Sequence, residues 1–134
     1  MSAFEHLNHG LTFQVASAVS AKKAVSLSAS QVGYVVPVIA NTVEPIGVTI
    51  SAASAVGDPV AVYHGAAGNV VKAVAAASLG HGTDVGIASN NGDLGPVAAA
   101  SGAARFRVGK SLQAAAAGET FSVYVDPARL PDNS

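Results

Sequence analysis

Ile46-Gly47-Val48-Thr49-Ile50-Ser51-Ala52-Ala53-Ser54-Ala55-Val56-Gly57-Asp58-Pro59-Val60-Ala61-Val62-Tyr63 returns further along the chain as Val108-Gly109-Lys110-Ser111-Leu112-Gln113-Ala114-Ala115-Ala116-Ala117-Gly118-Glu119-Thr120-Phe121-Ser122-Val123-Tyr124, with one residue deleted at Val56. In each copy a strand starts at a glycine, passes through small residues to Gly plus an acid, and returns as a strand ending in Tyr. Alternating apolar and polar residues are the mark of a half-buried strand, because successive side chains point to opposite faces. A unit of about 18 residues present only twice makes no solenoid. It predicts two similar strand-turn-strand corners of one barrel, with Gly47, Gly57, Gly109 and Gly118 as structural glycines. Asp58 and Glu119 are expected to keep those corners wet.

The same pattern extends outward. Thr12–Val15 and Ala24–Ser28 alternate, while Tyr34–Ile39, Val60–Tyr63, Val70–Val74, Val85–Ala88, Arg105–Val108 and Phe121–Val125 are short runs rich in β-branched or aromatic residues. Fourteen Gly and six Pro punctuate them about every ten residues, the spacing of an all-β sandwich or barrel. Pro37 inside a strand predicts an edge or a bulge. Asn90-Asn91-Gly92-Asp93 and Ala66-Ala67-Gly68-Asn69 read as hairpin turns. The alanine runs Ala73–Ala77 and Ala114–Ala117 favour helix by propensity but are too short to sustain one, so at most a single turn is expected in each. The expected architecture is a small single-domain β-barrel or β-sandwich with little helix. Residues 1–20 would form an N-terminal arm and first strand, and residues 21–134 the barrel domain.

Composition narrows the function. The 134 residues weigh 13.1 kDa, about 98 Da each, since 28 are Ala and none is Trp. Half are hydrophobic but only 5% aromatic. At this length one core is expected, with a folded surface of roughly 6,400 Å². Seven Lys+Arg against eight Asp+Glu leave a net charge of −1, which predicts no nucleic-acid partner. No uninterrupted apolar stretch is long enough for a membrane span, and Met1–His6 lacks the pattern of a secretory signal. With no Cys, thiol and zinc-thiolate chemistry are excluded, and synthesis in a reducing compartment is expected.

Few side chains form a chemical constellation. His6 and His9 have an i, i+3 spacing that zinc sites use, but only Glu5 lies nearby, so an exposed arm is expected and no metal. His64 and His81 neighbour glycines in predicted turns and are expected to face solvent. Gly80-His81-Gly82-Thr83-Asp84-Val85-Gly86 misses the dinucleotide spacing and precedes a strand, so it reads as a β-turn without phosphate. The acids fall singly in turns, without the pairing of general acid–base work. No catalytic residue and no cofactor are expected. Arg105, Arg107 and Lys110 form the one basic cluster. On a strand Arg105 and Arg107 share a face, either the solvated face of an edge strand or a contact with a partner.

The stretch Gly-x-Ser-Leu-x-Ala-Ala-Ala-Ala-Gly-Glu-x-Phe-x-Val-Tyr-Val at Gly109–Val125 is similar to the C-terminal signature of small head decoration (capsid cement) proteins of tailed bacteriophages. Pro45–Thr49 followed by Ala55–Val62 resembles a segment near the middle of those proteins, and the likeness runs from about Ala24 to Val125. The resemblance implies an all-β homotrimer, without catalytic residues, that binds the major capsid protein lattice on the capsid exterior after synthesis in the host cytoplasm. Met1–Gly10 would correspond to the family's N-terminal arm. Phe4, Leu7, Phe13, Arg105 and Arg107 are the expected capsid or subunit contacts. From the residues alone, a small-ligand-binding barrel and a self-assembling shell protein stay open as alternatives.

Overall fold

The computed structural model describes residues 3, 5, 7, 10–40, 42–64, 68–88, 92–97 and 105–130. It is all-β. Ten strands follow in order: β1 (Leu11–Val15), β2 (Ala24–Leu27), β3 (Tyr34–Pro37), β4 (Gly47–Thr49), β5 (Pro59–Tyr63), β6 (Val70–Val74), β7 (Asp84–Ile87), β8 (Leu94–Pro96), β9 (Phe106–Ser111) and β10 (Thr120–Arg129). Strands β1–β5 close into a barrel in the order β1-β3-β2-β4-β5, and β6–β10 form a sheet in the order β6-β10-β9-β7-β8. Neither alanine run contains helix: Ala73–Ala77 ends β6 and continues through the bridge residue Ala75 into a bend, and Ala114–Ala117 supplies the bridge residue Ala115 and the start of a turn.

The second sheet repeats the first. Replacing β1–β5 by β6–β10 preserves every antiparallel neighbour, and the parallel β1–β3 ladder at Val15–Val35 becomes the single parallel bridge Ala75–Leu94, where Ala76 N donates to Leu94 O at 2.7 Å and brings the two edges of the second sheet together into a second, barrel-like unit. The connections repeat as well. The Val19–Ala53 bridge reappears as Leu79–Ala115. Thr49 Oγ1 donates to Ser20 O at 3.0 Å and accepts from Lys23 N at 3.3 Å; Ser111 Oγ donates to Gly80 O at 2.5 Å and accepts from Thr83 N at 3.1 Å. One hydroxyl thus ties down the turn before β2 in the first half and before β7 in the second. The chain is a tandem pair of units of about sixty residues, of which the 46–63 and 108–124 stretches are the most alike.

The duplicated corner explains why it stayed recognisable. Gly57 and Gly118 have φ of +89° and +86°, a region costly to L side chains. Asp58 Oδ2 accepts from Ala55 N at 3.1 Å and Glu119 Oε1 from Ala116 N at 2.7 Å. The acids therefore fasten their turns to the backbone besides facing water. Gly47 and Gly109 have a different reason: a Cβ on Gly47 would lie 2.5 Å from Tyr63 O, and one on Gly109 would run into Tyr124 O. Lys22 is the exception, adopting φ +62° where its counterpart Gly82 has +70°.

The inner layers also correspond. Phe13 on β1 pairs with Val60 on β5, whereas the matched positions in the second half are Ala73 on β6 and Phe121 on β10. Each barrel takes one phenyl ring at this layer, from opposite strands. Val15, Val19, Val25, Val35, Ala53, Val60 and Val62 form the first core, with Phe13 and Ile46 packed on it. The second core contains Val71, Ala73, Leu79, Val85, Ile87, Leu94, Phe121 and Val123, and it also includes Ala24, Val38 and Val48 of the first barrel. On β2, Val25 is in the first core and its neighbour Ala24 in the second, so the wall of the first barrel seals the second. The total surface of 6382 Å² matches the size expected from the chain length.

Three expectations change. The hairpin expected at Ala66–Asn69, of which Ala66 and Ala67 lie outside the described residues, does not join paired strands: β5 pairs with β1 and β4, and β6 pairs with β10. β9 is not an edge, since it lies between β10 and β7. Pro37 ends β3, an interior strand, beyond Val35, the last residue that β1 reaches, so the missing N–H takes no ladder bond there.

Gly109→Ala is expected to lower stability by about 2–3 kcal/mol in urea unfolding, because rigid carbonyl backbone must move. Lys22→Gly should raise it by up to about 1 kcal/mol by relieving the left-handed conformation. For the aromatic pair, Phe13→Ala is expected to destabilise by about 2–4 kcal/mol. Adding Val60→Phe should recover part of that loss, although alone it overpacks the layer; a double-mutant cycle measures the coupling.

Candidate interaction surface

The sequence nominates Phe4, Leu7, Phe13, Arg105 and Arg107 as contacts. Phe4 lies outside the described residues, as do His6 and His9. Leu7 is exposed, Phe13 is half-buried against the first core, and Arg105 is half-buried with its carbonyl accepting from Leu130 N at 2.8 Å. Arg107 is engaged within the chain. Its Nη1 donates to Asp84 Oδ1 at 2.8 Å, its Nη2 to Asp126 Oδ2 at 2.5 Å, and its Nε to Asp126 O at 3.1 Å. Lys110 Nζ stands 3.9 Å from Asp84 Oδ1. A planar fork donating to three acceptors ties β7, β9 and β10 to one another. The glycine-rich 80–86 segment is likewise structural, since Ser111 occupies its turn. His81 is exposed, and His64 is half-buried with its carbonyl accepting from Asn69 Nδ2 at 2.6 Å.

A different surface emerges from comparing the two units. Among the described residues, the exposed large apolar side chains are Leu7, Leu11, Leu27, Val32, Ile39, Val43, Val56 and Tyr124, all but the last in the N-terminal half. Leu11 lies on the same face of β1 as Phe13 and Val15, and Leu27 on the same face of β2 as Val25, so strand alternation turns both inward. Yet they are 50% and 56% exposed. They stand where the barrel interior opens to solvent: in a staggered barrel, the registers Val15–Val35–Leu27 and Leu11–Val62 carry both to one rim. Val32, fully exposed, precedes Gly33 (φ +81°) in the β2–β3 turn beside them.

The matched rim of the second barrel is covered. Val71 and Ile87, the counterparts of Leu11 and Leu27, are 0% and 6% exposed and share a cluster with Ala24, Val38 and Val48 of the first barrel. Lys23 Nζ bonds Asp93 Oδ1 at 2.9 Å across this junction. Gly92 lies against the Lys23 stem, where a Cβ would meet Cδ at 2.8 Å. A cavity of about 200 Å³ opens at the same seam, lined by Ala18, Lys23, Pro37, Val38, Ile39 and Gly92 among others. Its lining comes from the first barrel apart from Gly92.

This two-barrel arrangement has a counterpart among solved structures. The chain is similar to the N base of head fiber gp8.5 in bacteriophage phi29, with a TM-score of 0.65 and 17% sequence identity, covering 92% of this chain and 98% of that one. The likeness is one of fold. It spans both barrels, since neither alone could account for such coverage. No family model and no curated protein matches the sequence.

Arg107→Met is expected to cost about 1–3 kcal/mol, because it leaves Asp84 and Asp126 facing each other without the cation between them. Chemical denaturation measures the loss. Arg105→Met, which removes none of those ion pairs, should change stability by less than about 0.5 kcal/mol.

Proposed function

We propose that this protein is a non-enzymatic virion structural component that binds the outer surface of a tailed-phage capsid as a trimer and stabilises the shell, in the manner of head decoration proteins. The observation that carries the reading is the fold likeness across both barrels to a phage head fiber base. The Gly109–Val125 stretch, which resembles decoration proteins, supports the finer role. The described ionisable groups support it too, because their contacts are architectural. Asp58 and Glu119 fasten turns, Asp84 and Asp126 hold Arg107, and Asp93 holds Lys23.

The mechanism is thermodynamic. A protein that binds the assembled lattice and not its dissociated subunits shifts the equilibrium toward the lattice, by about 2.7 kcal/mol per site at a concentration a hundred times Kd. Trimeric binding multiplies the effect, since later contacts form at high effective concentration. The partner is the major capsid protein, and the site of action is the capsid exterior after synthesis in the host cytoplasm.

The test is sedimentation of purified protein with undecorated capsids. At micromolar concentration the protein should pellet with the shells and raise the temperature at which they release DNA. Protein left wholly in the supernatant would overturn the assignment.

A further inference from the structure

The tandem repeat gives each barrel a template in the other, and the two ends of the molecule then differ. The first barrel presents an outward wall of small residues, Ala24 and Val48 with Val38, and the second barrel's rim sits on it. The matched wall of the second barrel cannot receive another rim in the same way. Asp84 stands in place of Ala24 and Lys110 in place of Val48, with Arg107 and Asp126 completing an ion cluster beside them. That end is closed by charge, as terminal units of repeat proteins are. At the other end, the rim of the first barrel is open and apolar.

The rim also differs in its polar detail. The internal junction uses Asp93 to pair with Lys23. The residue matched to Asp93 in the first barrel is Tyr34, following Gly33 as Asp93 follows Gly92, both glycines at positive φ. The open rim therefore carries Leu11, Leu27, Val32 and Tyr34, with no carboxylate at the place where the covered rim has one.

Resting on the capsid-binding function proposed above, we infer that this rim is the capsid-docking surface, and that it takes an outward β-sheet face of small apolar residues on the major capsid protein. The covered rim shows the chemistry of the occupant: Val71 and Ile87 are buried in one cluster with Ala24, Val38 and Val48 of the first barrel, and Gly92 and Asp93 at the same rim meet Lys23. A second copy of the chain has no such wall vacant: its own Ala24–Val48 wall is occupied and its other wall is charged. Placing Leu11 and Leu27 on Asp84 and Lys110 would desolvate charges without replacing their partners. The occupant is consequently a different protein, and the N-terminal barrel is the docking barrel while the C-terminal barrel faces away.

The experiment compares capsid binding by wild type, Leu11→Asp/Leu27→Asp, Leu11→Met/Leu27→Met and Lys110→Ser, using undecorated capsids of the phage that encodes the chain. Melting temperature and light scattering are recorded for each protein. The expected result is a loss of affinity of about 100-fold or more for the Asp pair, near wild-type binding for the Met pair and for Lys110→Ser, and melting temperatures within a few degrees of one another. Equal capsid binding by wild type and the Asp pair overturns the rim as the docking surface and leaves the function standing. Failure of wild type to bind overturns the function, and the docking surface with it. If the Asp pair converts an oligomer to monomers while still binding capsids, the rim is a contact between copies and the inference is wrong.

Discussion

Each five-stranded unit holds one phenyl ring at its matched inner layer, and the packing of the rest of the core is built around it. The first unit places the ring on β1 opposite Val60, and the second places it on β10 opposite Ala73. Around it the core positions are filled by Val, Ala, Leu and Ile. A chain that is half hydrophobic yet 5% aromatic is the composition such a layer requires. Narrow barrels also bring backbone close to backbone, which is why glycine faces Tyr63 O in one unit and Tyr124 O in the other.

A barrel this small cannot bury both its ends, and the fold meets the difficulty once and not twice. One rim is sealed by the wall of the neighbouring barrel, through Ala24, Val38 and Val48. The other keeps two half-exposed leucines. Burial and charge consequently give the molecule a direction, apolar at the N-terminal barrel and ion-paired at the C-terminal one.

Periodicity made the all-β class legible, because alternation is a local property that the strand itself imposes. It located every strand except β8, whose Leu-Gly-Pro has neither β-branched residues nor alternation and is held by pairing with β7. The hairpin read at Ala66–Asn69 failed for a related reason: turn chemistry marks a reversal without saying which strands pair across it. The repeat was legible only at 46–63 and 108–124. There, positive φ, close backbone approach and the acid-to-amide bond restrict the residue at several successive positions. Elsewhere, inward and outward character alone must be kept, so Lys22 can match Gly82 and Phe13 can match Ala73.

The candidate surface was largely illegible. Arg105 and Arg107 stood out because charge is scarce, but Arg107 is paired with Asp84 and Asp126, partners 23 and 19 residues away. Leu11 and Leu27 look like ordinary inward strand residues, and their sequence neighbours give no sign that the barrel stops beside them. The sequence by itself determined the strands, the glycine corners and the smallness of the core, since those depend on backbone conformation and side-chain volume at each position. Only the tertiary structure decided that there are two stacked units, which rim is sealed and which cation is already spoken for. Those depend on which distant groups meet, and local patterning carries no record of that.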